Sequence, residues 1–328
     1  MFNKIRRLWL SLGGAAAALC GVSGLALAGM GQPSPKQMGM QEPATEIARN
    51  VFWFHDVVNV AIIAIATFVL ILLALVTLKF NERANPSPSR TTHNTFLEVA
   101  WTVIPILILV AIAVPSFKLL YQQYAYPKPD LTIKAIANTW FWEHEYVDQT
   151  GVKVTSSMLK DEDVLTAKHG KDYLKKFDRL DGVAKLKAMY TEAAPLWAEQ
   201  KLVRQLSVDN EIAVPVGKVV HLLVTSNDVI HAWTIPSFGS KTQAVPGRIT
   251  ATWFRPEKTG IFYGQCSVLC GKQHSGMPIA VRVVSQGAFD SWTAAVKAKD
   301  WRRARGILLA ATDGADGTKV ADAAITTK

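Results

Sequence analysis

Cys266-Ser267-Val268-Leu269-Cys270-Gly271-Lys272-Gln273-His274-Ser275-Gly276-Met277 brings two thiols, an imidazole and a thioether into twelve residues. Spacings of 4, 4 and 3 would put all four on one face of a helix. Gly271 and Gly276 weaken a helix, and Pro278 directly after would break it. Short β-forming runs lie on either side, Gly260 to Tyr263 and Ile279 to Val284. The stretch therefore reads as a loop joining two strands, folded back so that both thiols face one point. That reading decides for a β domain over a helical one.

Working outward, the same texture continues upstream. Leu131 to Val147, Lys218 to Thr225 and Ile249 to Phe254 are rich in β-formers. Turn signals at Pro215-Val216-Gly217, Pro236, Pro246-Gly247 and Gly271 punctuate them. Short strands with such punctuation predict a small β-sandwich or barrel over 131–290. Met158 to Gln200 departs from it, with Ala, Leu, Lys and balanced charge throughout, and reads as a helical insertion. Residues 291–328 read as a tail that begins helical and ends in a Gly/Ala/Thr-rich disordered stretch.

The N-terminal third differs. Lys4, Arg6 and Arg7 precede an apolar, Ala-rich run closing on Ala26-Leu27-Ala28, the pattern of a signal peptide over 1–28. Within 29–130, the runs 57–78 and 99–120 are nearly all apolar. Each gives a helix of roughly 33 Å, enough for a ~30 Å hydrocarbon core. Lys79, Arg83 and Arg90 between them suit a cytoplasmic loop, so the hairpin leaves both mature ends outside. Pro105 and Pro115 should bend the second helix, which then needs support from a larger partner in the lipid. Glu98 stands at that helix's inner start, either facing water at the interface or opening a proton path. The net charge of +10 is spread over signal, loop and tail, without a basic stripe of interleaved aromatics, which excludes nucleic acid as a partner.

Of three cysteines, Cys20 leaves with the signal, so Cys266 and Cys270 are the mature pair. In an oxidising compartment they could close a disulfide; the His and Met that follow favour a metal. Thiolate, thioether and imidazole together select copper. Zinc accepts two Cys and two His but takes Met poorly. A mononuclear blue-copper site uses one Cys, and here there is one too many. His231, in Asp228-Val229-Ile230-His231, follows a strand end and could reach the loop from another strand. Two thiolates bridging a copper pair, with one His on each metal, use every ligand. Such a pair shares a one-electron change over two metals, which favours fast transfer.

The pattern Cys-x-x-x-Cys-Gly-x-x-His-x-x-Met-Pro, preceded by Asp-Val-x-His, resembles subunit II of the cytochrome c oxidases, as does the signal-plus-hairpin plan. The resemblance implies a cupredoxin-like domain with a binuclear CuA centre. Cys266 and Cys270 would bridge the coppers, His231 and His274 would be terminal ligands, Met277 a weak axial one, and the Val268 carbonyl the remaining one. The family usually carries Glu where Val268 stands, and that carboxylate binds a magnesium ion shared with subunit I. Valine has no carboxylate, so magnesium does not carry over through this residue.

The resemblance further makes Trp140 the tryptophan that receives electrons, and Glu98 the mouth of a proton path into subunit I. It puts Glu145, Asp209 and Asp228 on a docking face for cytochrome c. The implied setting is the bacterial inner membrane, with the copper domain in the periplasm beside haem-containing subunit I and the other oxidase subunits. The implied role is electron input for oxygen reduction coupled to proton pumping, with no catalysis by this chain alone. A quinol-oxidase subunit would lack the copper ligands. The alternative is a membrane-tethered copper-binding or copper-delivery protein, which would need neither Glu98 nor Trp140.

Overall fold

The structure is a computed structural model and describes residues 31–316. The signal segment over 1–28 and the last part of the tail lie outside the described residues. The first long helix, α1, is Glu46–Lys79, and the second, α2, is Thr95–Tyr124. Thr45 caps α1, its hydroxyl accepting from the Ala48 N–H and donating to the Phe238 carbonyl at 2.9 Å. The Asn94 side chain caps α2 by accepting from the Leu97 N–H. Both helices are long and apolar enough to cross a membrane. They overrun the apolar runs at 57–78 and 99–120, because hydropathy marks the part matched to lipid while backbone hydrogen bonding continues to the caps. Helix α2 runs unbroken through Pro105 and Pro115. Their large apolar side chains, such as Phe68 and Leu107, are exposed, as lipid-facing or partner-facing groups would be.

The β domain holds ten strands among the described residues. They are β1 (Leu131–Asn138), β2 (Phe141–Tyr146), β3 (Lys153–Ser156), β4 (Ile212–Pro215), β5 (Val220–Ser226), β6 (His231–Ile235), β7 (Ser240–Ala244), β8 (Thr250–Phe254), β9 (Gly260–Gln265) and β10 (Pro278–Val284). One sheet has the order β3-β2-β1-β5-β8, a second β4-β10-β9, and β6-β7 form a separate hairpin. β1 pairs parallel with β5, and β4 parallel with β10; the other pairs are antiparallel. Inward residues of the first sheet, Ile133, Trp142, Leu222 and Val224, share one core with Phe262, Ile279, Val281 and Val283 of the second. Alternation explains the choice: along β5 every second residue is buried.

The insertion folds as α3 (Asp161–His169), a 3₁₀ turn (Lys171–Phe177) and α4 (Gly182–Glu199). It has its own small core of Val164, Leu165, Phe177, Met189, Leu196 and Trp197. The tail reading changes more. Helix α5 (Gln286–Lys297) and helix α6 (Trp301–Asp316) place Trp292, Val296, Ala304 and Leu308 in the main core. Buried Arg282 on β10 pairs with Glu211 and also reaches the Leu308 carbonyl at 3.5 Å, tying α6 to the sheet.

The domain sits on the end of the hairpin where α1 begins and α2 ends, through several links. Arg49 pairs with Glu257, and Glu46 with Arg255 at 3.3 Å. Trp253 donates to the Gln123 carbonyl at 3.1 Å, and Tyr126 to the Ala251 carbonyl at 2.9 Å. Gly239 lies against Ala48 so closely that a Cβ would stand 2.9 Å from the Ala48 Cα.

Candidate metal centre

His231 opens β6, Cys266 follows the end of β9, and Pro278 opens β10, so the loop hangs between strands that the fold already holds together. β6 and β9 approach unusually closely at Gly264, where a Cβ would stand 1.8 Å from the Thr234 carbonyl oxygen. The Cys266 N–H donates to the Met277 carbonyl at 3.0 Å, closing the loop's neck. The Ser267 N–H donates to the Ala232 carbonyl at 3.3 Å, fastening the loop to β6. Gly271 turns the chain at φ +117°, a region that favours glycine, and a single 3₁₀ turn spans His274–Gly276.

The two sulfurs are 3.8 Å apart and unbonded, well beyond the ~2.05 Å of a disulfide. Cys266 Sγ lies 3.9 Å from His231 Nδ1 and 3.3 Å from the Val268 carbonyl oxygen. Cys270 Sγ lies 3.5 Å from His274 Nδ1. Met277 is buried beneath the loop, His231 is fully buried, and His274 is half-buried. Donor atoms of His231, Cys266 and Cys270 all fall within 4.8 Å of one another. Each thiol therefore faces the other and one imidazole nitrogen. Burial and the neighbouring Cys266 push the Cys270 thiol up to about 12, so without a metal it stays protonated at neutral pH. Soft, close-set and convergent, the donors fit copper, whose binding would displace those protons.

The other expected residues are spread more widely. Trp140 is half-buried against the loop, its indole N–H donating to the Cys270 carbonyl at 3.2 Å. Its ring fills the space left by Gly271, where a Cβ would lie 3.2 Å from Cζ2. Glu98 is half-buried in the first turn of α2, at the end of that helix away from the β domain. Glu145 points outward from β2 and is exposed. Asp209 is turned inward: it accepts from the Ser157 and Asn210 N–H groups, both at 2.7 Å, at the base of the insertion. Burial raises its carboxyl above the ordinary range against those hydrogen bonds. Asp228 is tied into the site itself, its Oδ1 2.8 Å from His231 Nε2.

Two residues escaped the sequence reading. Trp142 presents its edge to the His231 ring, centroids 6.3 Å apart, and fixes the imidazole from the core side. His144 is buried and accepts from the Trp233 indole N–H at 3.3 Å. Burial lowers its pKa to about 3, so it is neutral. Alternation along β2 puts Trp142, His144 and Tyr146 on the inward face, and that was the signal available.

The family model for the cytochrome c oxidase subunit II transmembrane domain matches residues 33–119, and the one for its periplasmic domain matches 186–284. The "Probable cytochrome c oxidase subunit 2" of Rickettsia bellii is 42% identical over 263 residues, covering 80% of this chain and 85% of that protein. The cytochrome c oxidase subunit 2 of Cereibacter sphaeroides is 39% identical over 263 residues, with 80% and 81% covered. Among solved structures, the periplasmic domain of subunit II of cytochrome oxidase from Bradyrhizobium japonicum is 40% identical, with 53% of this chain and 99% of that one covered and a TM-score of 0.40. With a membrane hairpin and a cupredoxin-like periplasmic domain both matched, this chain belongs to the cytochrome c oxidase subunit II family and is a subunit of an oxidoreductase complex.

Proposed function

We propose that this chain is the electron-input subunit of a terminal oxidase, receiving electrons from cytochrome c at a binuclear copper centre and passing them to haem in subunit I. The observation that carries this reading is the pair of unbonded sulfurs 3.8 Å apart, each facing one imidazole nitrogen. Cys266 and Cys270 would bridge, His231 and His274 would each take one metal, and Met277 and the Val268 carbonyl would complete the set. Bound there, a copper pair supplies one-electron redox chemistry. The chain's own part is to hold the donors before the metal arrives, so that little rearranges when the charge changes. Trp140, hydrogen-bonded to the carbonyl of one thiolate residue, offers the contact for the donor protein. The two helices would anchor the domain on the periplasmic side of a bacterial inner membrane, against subunit I, with Glu98 at the opposite mouth of a proton path. Copper delivery calls for ligands that open and exchange; a fully buried His231 and a buried Met277 favour a resident metal.

Electron paramagnetic resonance of the copper-loaded chain tests the reading. One unpaired electron shared equally by two coppers is expected, and a signal confined to one copper overturns it. Replacing Met277 with leucine should keep both coppers, since the buried swap conserves volume, but shift the midpoint potential; a shift of ~59 mV changes the one-electron equilibrium tenfold. Voltammetry showing an unmoved potential would remove Met277 from the ligand set. Metal analysis of the purified complex should find magnesium absent or held by groups other than Val268. Full occupancy that vanishes only on changing residue 268 would contradict this.

A further inference from the structure

A residue that steers a partner by charge should leave its carboxylate free to the solvent. Asp228 does not: although its side chain is 30% exposed, both oxygens are engaged within the chain. Oδ1 accepts from His231 Nε2 at 2.8 Å, from the Ser226 hydroxyl at 3.1 Å and from the Val229 N–H at 2.6 Å. Oδ2 accepts from the Thr139 N–H at 2.5 Å and the Thr139 hydroxyl at 2.6 Å. A carboxylate only accepts, so the His231 proton sits on Nε2 and the Nδ1 lone pair is left to face Cys266. Thr139 directly precedes Trp140, whose indole returns to the Cys270 carbonyl. The contacts close a circuit from ligand to carboxylate, to the turn between β1 and β2, to Trp140 and back to the metal loop.

We infer that Asp228 is a positioning residue that holds the ligand His231 and the Trp140 turn in one arrangement, so that a single carboxylate sets both the metal site and the surface that receives electrons. This rests on reading the site as a two-copper electron-transfer centre. The carboxylate at Nε2 makes the imidazole a stronger donor and favours the oxidised metals. Asparagine keeps the shape but offers one acceptor oxygen where Asp228 uses two, and it carries no charge. It therefore cannot hold His231 and Thr139 in the same way.

The test compares detergent-solubilised full-length wild type with Asp228→Asn, metal-free and copper-loaded. In the metal-free variant, amide hydrogen exchange over residues 139–142 should rise about tenfold, as expected on losing charge-assisted hydrogen bonds to Thr139. In the loaded variant the two-copper signal should persist with altered hyperfine coupling and a higher midpoint potential. Unchanged exchange with an unchanged potential, whatever happens to cytochrome c affinity, overturns the inference and returns Asp228 to a docking role. If wild type shows no two-copper signal, the functional reading fails, and the metal-free exchange comparison still decides the clasp. Should the variant not fold, Thr139→Val removes one donor and leaves the carboxylate. Faster exchange over 139–142 with an unmoved potential then supports the clasp, and unchanged exchange overturns it.

Discussion

Replacing Gly264 with alanine is expected to part β6 from β9 and leave the chain unable to hold copper. An added Cβ would stand 1.8 Å from the Thr234 carbonyl oxygen and 2.9 Å from Ile235 Cγ1. The closest ordinary carbon–oxygen contact is about 3.3 Å. The obstructing atom is backbone, so no side-chain rotation relieves the clash and one strand must retreat. Gly264 lies within β9 and outside the left-handed region, so the cost is of space and not of conformational freedom. The retreat falls where His231 begins β6 and Cys266 follows β9, the pair whose atoms lie 3.9 Å apart. Overpacking of this kind costs about 3 kcal/mol at the upper end of its usual range. Denaturant unfolding of the metal-free chain should show that loss, and copper analysis should find well under two ions per chain. A wild-type midpoint with full copper would show that β6 and β9 do not need to approach this closely.

The second large effect is expected from Cys270→Ser. Serine keeps the shape of a small buried side chain but replaces a soft thiolate with a hard, weakly acidic oxygen, which cannot bridge copper. Loss of an outer partner of a metal ligand already costs up to ~100-fold in affinity or activity, so loss of a bridging ligand should exceed that. The shared two-copper signal should vanish, and electron uptake from cytochrome c should fall with it. The fold should stand, because serine is close in size to the cysteine it replaces and the core rests on Trp142, Phe262 and Trp292. A mixed-valence signal surviving in this variant would sink the bridging assignment.

Much of the site was legible because its donors lie close in sequence. Cys266, Cys270, His274 and Met277 share one loop, and two glycines and a proline mark that loop as non-helical. His231 opens β6 while the loop follows β9, and spacing alone offered only that it could reach the loop from another strand; the motif resemblance supplied the pairing. Asp209 and Asp228 show where such reasoning stops. Both carry the charge of a docking residue, yet one is folded into the base of the insertion and the other accepts from the buried His231. Which way a carboxylate points depends on the amides that neighbouring strands bring to it, and a linear pattern does not encode those. The tail shows the same limit, because Trp292 and Leu308 become core residues only once α5 and α6 fold back on the sheets.

By itself, then, the sequence determined the soft donor set, the two apolar spans and the β character of the domain between them. Each rests on local chemistry or on a short period: thiol and thioether softness, the length of an apolar run, alternation along a strand. Only the tertiary structure decided that the two thiols stay unbonded and each meets an imidazole, that Gly264 lets β6 and β9 close, and that Asp228 joins His231 to Thr139 beside Trp140. Those depend on strands far apart in the chain, and their separations are set by the packing of the whole core.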